Sequence, residues 1–177
     1  METPLAGRKV AVFVEQDFED VELAGPRDAL AEAGAEVVMV GPTAGVRYRG
    51  KKSLVVAADV AASAALADEF DALVIPGGHA PDRMRLRRPM VDLARGMMQA
   101  DRIVAAIGHG PQVLISAEVL DGRTLTCFPS FGIDVRNAGG LYVDRPVAVD
   151  GNLITSRKPE DLPKFNKALI DALAALP

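Results

Sequence analysis

The sequence predicts an α/β fold: a three-layer α/β/α sandwich around a mostly parallel sheet. Nearly continuous apolar runs recur at 9–14, 35–40, 72–75 and 104–107, as strands buried on both faces require. Segments with apolar residues at helical spacing separate them. The runs stop in glycine or proline turns, at Gly41-Pro42, Pro76-Gly77-Gly78 and Gly108.

Taken in order, residues 1–7 read as a short tail, and the first strand follows at 9–14. An acidic loop, Glu15-Gln16-Asp17-Phe18-Glu19-Asp20, leads into a helix carrying Val21, Leu23 and Leu30 that ends near Gly34. The second strand occupies 35–40, and two short β segments follow around 47–49 and 54–56. Another buried strand ends at Gly77-Gly78. The helix after it opens at Pro89, a residue suited to a first helical position, with Met90, Leu93 and Met97 on one face. The strand ending at Ile107 turns sharply at Gly108 into a helix containing Val113, Leu114 and Ala117. Beyond it the pattern gives a strand at 124–127, a helix near 131–137, and strands at 141–143, 147–149 and 153–155. A last helix starts at Pro159, with Glu160 and Asp161 at its positive end, and runs to about Ala174.

With 177 residues, 49% of them hydrophobic, the chain suits one domain over 1–177 with a sizeable core. A charged fraction of 25% and a net charge of −4 argue against nucleic acid or a membrane surface as partner. No Trp and only two Tyr leave little for a base-stacking platform. A single Cys forms no internal disulfide, and no leader or bilayer-spanning run is evident, so the expected location is cytoplasmic. Two histidines, one cysteine and scattered carboxylates show no metal-ligand spacing, and no cofactor motif is present.

Ligands in such sheets bind beyond the carboxyl ends of the strands, where the strand order reverses. Three loops fall there: the acidic loop with Glu19, the Gly77-Gly78 turn, and the Gly108-His109 turn. A carboxylate, a glycine turn with exposed amides and a histidine entering a helix together resemble an acyl-transfer or thiol-chemistry pocket. The strand-to-helix turn at Gly108 has the form that lifts a nucleophile out of the chain path, yet its side chain is one hydrogen.

Phe18-Glu19-Asp20-Val21-Glu22-Leu23, Val74-Ile75-Pro76-Gly77-Gly78-His79-Ala80-Pro81-Asp82, Ala105-Ala106-Ile107-Gly108-His109-Gly110-Pro111-Gln112 and Asp150-Gly151-Asn152-Leu153-Ile154-Thr155-Ser156-Arg157 resemble the signatures of the ThiJ/PfpI superfamily. The likeness is to its PfpI branch of intracellular, stress-associated proteins and covers the chain from Lys9 onward. It implies a flavodoxin-like sandwich of the class I glutamine amidotransferase type. It also implies cysteine-dependent chemistry of the hydrolase (protease-like), glyoxalase or deglycase kind, acting on small carbonyl compounds. By the same resemblance Gly108 occupies the position of the reactive cysteine and His109 assists proton transfer. Glu19 matches the buried glutamate beside the thiol. Asp82 matches a carboxylate that orients the histidine of a neighbouring subunit, in a homodimer or hexamer with a shared pocket. Amides around Gly77, Gly78 and His109 would form the oxyanion hole. Phe128 stands where many PfpI-like chains carry a tyrosine.

Glycine supplies no thiolate, the attacking species of this chemistry. The expected protein is therefore inactive, or nearly so, in cysteine-dependent reactions. Its alternative is a non-catalytic small-molecule-binding or chaperone-like stress protein, holding a small carboxylate or carbonyl compound. A third reading keeps catalysis through His109 and a pocket water. Bland readings stand beside these: a solvated His79, Cys127 as core packing, and Arg83, Arg85, Arg87 and Arg88 as a solvated or subunit-facing surface.

Overall fold

A computed structural model describes residues 3–177. The main sheet has seven strands, whose order is set by short crossovers. In chain order the elements are β1 (Lys9–Phe13), α1 (Asp20–Glu32), β2 (Glu36–Gly41), β3 (Arg47–Arg49), β4 (Val55–Ala57), β5 (Val60–Ala61), β6 (Ala72–Ile75), α2 (Ala80–Met84), α3 (Arg88–Gln99) and β7 (Ile103–Ile107). They continue with α4 (Pro111–Ser116), β8 (Thr124–Leu125), α5 (Gly132–Asn137), β9 (Leu141–Tyr142), β10 (Val147–Asp150), β11 (Leu153–Ser156) and α6 (Leu162–Ala174).

The strand order is β10-β11-β7-β6-β1-β2-β5, parallel throughout except that β10 runs antiparallel to β11. β3 and β4 form a separate antiparallel pair, and β8 and β9 a short parallel one. From β1 the chain moves outward to β2 and β5, then returns to β6 on the other side. Right-handed crossovers running in opposite directions place α1 and α3 on opposite faces of the sheet. α1 packs on α6, and α3 on α4.

Every residue of β6, β7 and β11 is buried, which explains why these strands read as unbroken apolar runs. Phe13, Leu73, Met97, Ile107 and Phe165 are fully enclosed, each contributing about 1.5–3 kcal/mol from burial. Carboxyl ends of β1, β6 and β7 lie side by side, and the reversal of strand order falls between β1 and β6.

Some boundaries differ from the sequence reading. Residues 3–7 are not a loose tail: Leu5 is fully buried, and its N–H donates to the Ala33 carbonyl at 2.9 Å. Met1 and Glu2, also read as tail, lie outside the described residues. The strand expected over 124–127 ends at Leu125, where the chain turns toward a 3₁₀ turn at Pro129–Phe131. The last helix begins as a 3₁₀ turn at Pro159–Asp161 and becomes α-helical at Leu162. β5 and α2, of two and five residues, are too short to leave a periodic signal in the sequence.

Candidate functional site

The loop after β1 is tied to the turn after β6. Glu19 N–H donates to the Gly77 carbonyl at 3.0 Å, and His79 N–H to the Asp17 carbonyl at 2.9 Å, bracketing a bridge between Phe18 and Gly78. Gly78 has φ +86°, and a Cβ there would stand 2.4 Å from the Glu19 nitrogen, so only glycine lets the two loops touch. This contact fixes where α1 starts and which of its residues face the sheet end.

After β7 the chain turns through Gly108 at φ +64°, and Pro111 opens α4. The Gly110 N–H closes the turn on the Ile107 carbonyl at 2.9 Å. Two neighbours hold it in place: Gly108 N–H donates to the Ser156 carbonyl at 3.1 Å, and Phe128 N–H donates to the Gly108 carbonyl at 2.9 Å. The sharp elbow expected from the sequence is present. A Cβ at residue 108 would lie 2.8 Å and 3.0 Å from the two carboxyl oxygens of Glu22.

Glu22, not Glu19, is therefore the buried carboxyl against the elbow. Its residue exposure is 3%, and Gly77 N–H donates to its Oε1 at 3.0 Å. Burial, reinforced by the nearby charge of Glu19, pushes its pKa up to about 8 against the opposing pull of the Gly77 N–H. At neutral pH the carboxyl keeps its proton and can donate it. Glu19 instead stands just before α1 at the mouth of the recess and makes no side-chain cap to the helix; its Oε2 accepts from Lys51 Nζ at 3.0 Å. The difference is one of helix phase. Glu22, Pro26 and Leu30 recur at four-residue spacing on the buried stripe of α1, and Glu19 lies outside the first turn. A charged residue in phase with that apolar stripe was the available signal.

His109 follows the elbow and is half-buried. Its ring stacks on Phe128 and Phe131, with centroids 4.8 Å and 5.2 Å away. Burial, then the charges of His79 and Lys51, lower its pKa, so the imidazole is neutral at pH 7. The recess above Gly108 holds about 150 Å³ and is lined by Glu19, Glu22, Lys51, Gly78, His79, Gly108, His109, Phe128 and Pro159. His79 is exposed at the mouth. Backbone N–H groups of Gly78 and His109 have no acceptor among the described residues, so both are free to hold an oxyanion. The Gly77 N–H is not free, because Glu22 uses it.

Asp82 lies exposed on α2 and does not line the recess. Cys127 is fully buried, donates to the Phe128 carbonyl at 3.3 Å, and is held as a thiol by burial, which pushes its pKa up to about 12. It belongs to the core and does not line the recess. A larger hollow of 410 Å³ lies beside α3, but its lining is mostly Ala, Leu and Pro, with no convergent acid–base groups. The recess at Gly108 thus gathers a carboxylic acid, a neutral imidazole and two free amides, with no thiol or hydroxyl side chain among its lining residues. No described helix is long and apolar enough to cross a membrane.

Comparison with known proteins agrees with this architecture. Residues 8–172 match the DJ-1/PfpI family. The chain is 42% identical over 170 residues to protein/nucleic acid deglycase 2 of Escherichia coli, covering 95% of this chain and 99% of the relative. Among solved structures it resembles a two-domain protein of Anabaena variabilis containing DJ-1/ThiJ/PfpI-like and ferritin-like domains. That match has a TM-score of 0.93 and 45% identity, over 96% of this chain and 50% of that one. Drosophila melanogaster DJ-1beta superposes with a TM-score of 0.88 at 30% identity, over 96% of this chain and 91% of that one. A sandwich with its elbow one strand from the switch point, matched along nearly its whole length, places this chain in the DJ-1/PfpI family.

Proposed function

We propose that this chain is a DJ-1/PfpI stress-associated protein of the hydrolase, glyoxalase or deglycase type whose thiol chemistry is silent in this form. Its recess holds a small carbonyl or carboxylate compound without covalent attachment. The observation that carries this reading is the intact elbow at Gly108, with a carboxylic acid against it and no nucleophile on it. The deglycase name of the Escherichia coli relative supports carbonyl adducts as the substrate class. Two free amides and Lys51 suit an anionic or strongly polarised oxygen. In the assembled homodimer or hexamer, Asp82 from a second copy orients the His109 imidazole.

Gly108→Cys tests it. The new side chain must accept φ +64°, at a cost of about 1–3 kcal/mol, and must displace the Glu22 carboxyl slightly. The expected result is a gain of at least 100-fold in methylglyoxal consumption over the parent. A folded variant with no gain overturns the reading.

A further inference from the structure

We infer that the recess, as it stands, catalyses thiol-free proton transfer on a short α-hydroxy carbonyl compound, with Glu22 as the acid and His109 as the base. The inference rests on the carbonyl-binding reading above and assigns it a reaction.

In a cysteine-bearing elbow, the Cβ and sulfur would stand between the buried carboxyl and the ligand. Here they are absent, and the carboxyl lies within 3.0 Å of the point that Cβ would occupy. Both Glu22 and Gly108 line the recess, so the acid faces its contents directly. Enolisation needs three things: a proton donor at the carbonyl oxygen, a base at the neighbouring carbon, and donors for the charge that develops. Glu22 supplies the first. The His109 ring makes no hydrogen bond among the described residues, so its unprotonated nitrogen is free to accept the proton. Gly78 and His109 N–H groups supply the third. The cavity of 150 Å³ suits a molecule of a few heavy atoms.

The step balances without a cofactor. His109 takes a proton from the carbon bearing the hydroxyl, and the C–H electron pair becomes the carbon–carbon double bond. Electrons of the carbonyl π bond pass to oxygen, which takes the Glu22 proton, giving an enediol. In the second half the His109 imidazolium returns its proton to the former carbonyl carbon, while the Glu22 carboxylate takes the proton from the hydroxyl on the other carbon, whose oxygen becomes the new carbonyl. A 2-hydroxy ketone becomes a 2-hydroxy aldehyde and both residues regain their starting states.

Incubation of the parent protein with dihydroxyacetone in D₂O, followed by proton NMR, is the test. The expected result is deuterium at the hydroxymethyl carbon and appearance of glyceraldehyde, at least ten-fold above buffer. Both signals should fall at least ten-fold in Glu22→Gln, which retains the Oε1 acceptor for Gly77, and in His109→Gln. The rate should decline above about pH 8, as Glu22 loses its proton. Methyl methanethiosulfonate, which modifies thiols and spares imidazoles, should leave the rate unchanged. Loss of exchange on thiol modification, or exchange undiminished in folded Glu22→Gln, overturns the inference. Glycolate titration is run in parallel. No exchange with glycolate still raising Tm overturns the proton-transfer step alone, whereas no exchange and no glycolate binding overturns the binding reading with it.

Discussion

Glu22 keeps its proton in the folded protein up to about pH 8, whereas its ordinary value is 4.5. Folding therefore takes up a proton between those limits, and stability falls as pH rises through them by about 1.4 kcal/mol per pH unit. Below pH 4.5 both states hold the proton and the effect vanishes; above about 8 it is constant. Glu22→Gln removes the ionisation while keeping the hydrogen bond from Gly77. The variant should match the parent near pH 4 and become progressively more stable than it up to pH 8, as read by urea unfolding across that range. Parallel pH profiles for the two proteins would contradict a buried, protonated Glu22. A buried acid in a recess that weakens the fold as pH rises is a candidate functional group.

At the scale of elements, the recess depends on loops that hold one another. Asp20, the first residue of α1, accepts N–H groups from Lys52, Ser53 and Leu54 at 3.1, 3.0 and 2.9 Å. Burial alone would raise its pKa, but these donors outweigh that and hold the carboxyl below its ordinary value. The same bonds fix the link between β3 and β4, which carries Lys51 to the mouth of the recess. Asp20→Ala should destabilise by about 1–3 kcal/mol and speed amide exchange across residues 50–54. Unaltered exchange there would mean that the link is held by other contacts. α1 is thereby pinned at both loops, and this determines the phase that buries Glu22.

Across the whole molecule, Glu15, two residues beyond β1, is joined to Arg87 at the start of α3. Arg87 Nε donates to Glu15 Oε2 at 3.0 Å, while Gln16 N–H takes Oε1 at 2.8 Å. The glutamate side chain is 3% exposed and the arginine 53%. Removing the arginine leaves a buried carboxylate with one partner fewer. Arg87→Met should cost about 1–3 kcal/mol, less than the loss from a fully enclosed pair. Arg88, in a wide surface pair with Asp92 at 3.7 Å, should tolerate the same change within about 0.5 kcal/mol. Equal Tm losses for the two variants would remove Glu15–Arg87 from the contacts that hold the layers together.

The three-layer sandwich was legible because its central strands are buried on both faces and write that burial into unbroken apolar runs at β1, β6 and β7. The Gly108 elbow was legible too, since a left-handed turn into a helix is specified by adjacent residues: a strand, a glycine, and Pro111 at the helix start. By itself, then, the sequence determined the sheet, the elbow and the absence of a sulfur on it. Which carboxylate of the acidic stretch reaches that elbow was a tertiary decision. Glu19 and Glu22 are chemically alike and three residues apart, and only the packing of Leu23, Pro26 and Leu30 into the core turns one inward and leaves the other at the rim. The free amides follow the same logic: Gly77 and Gly78 are indistinguishable in a string of letters, and it is the Glu22 carboxyl, brought from a distant segment, that occupies one N–H and leaves its neighbour open.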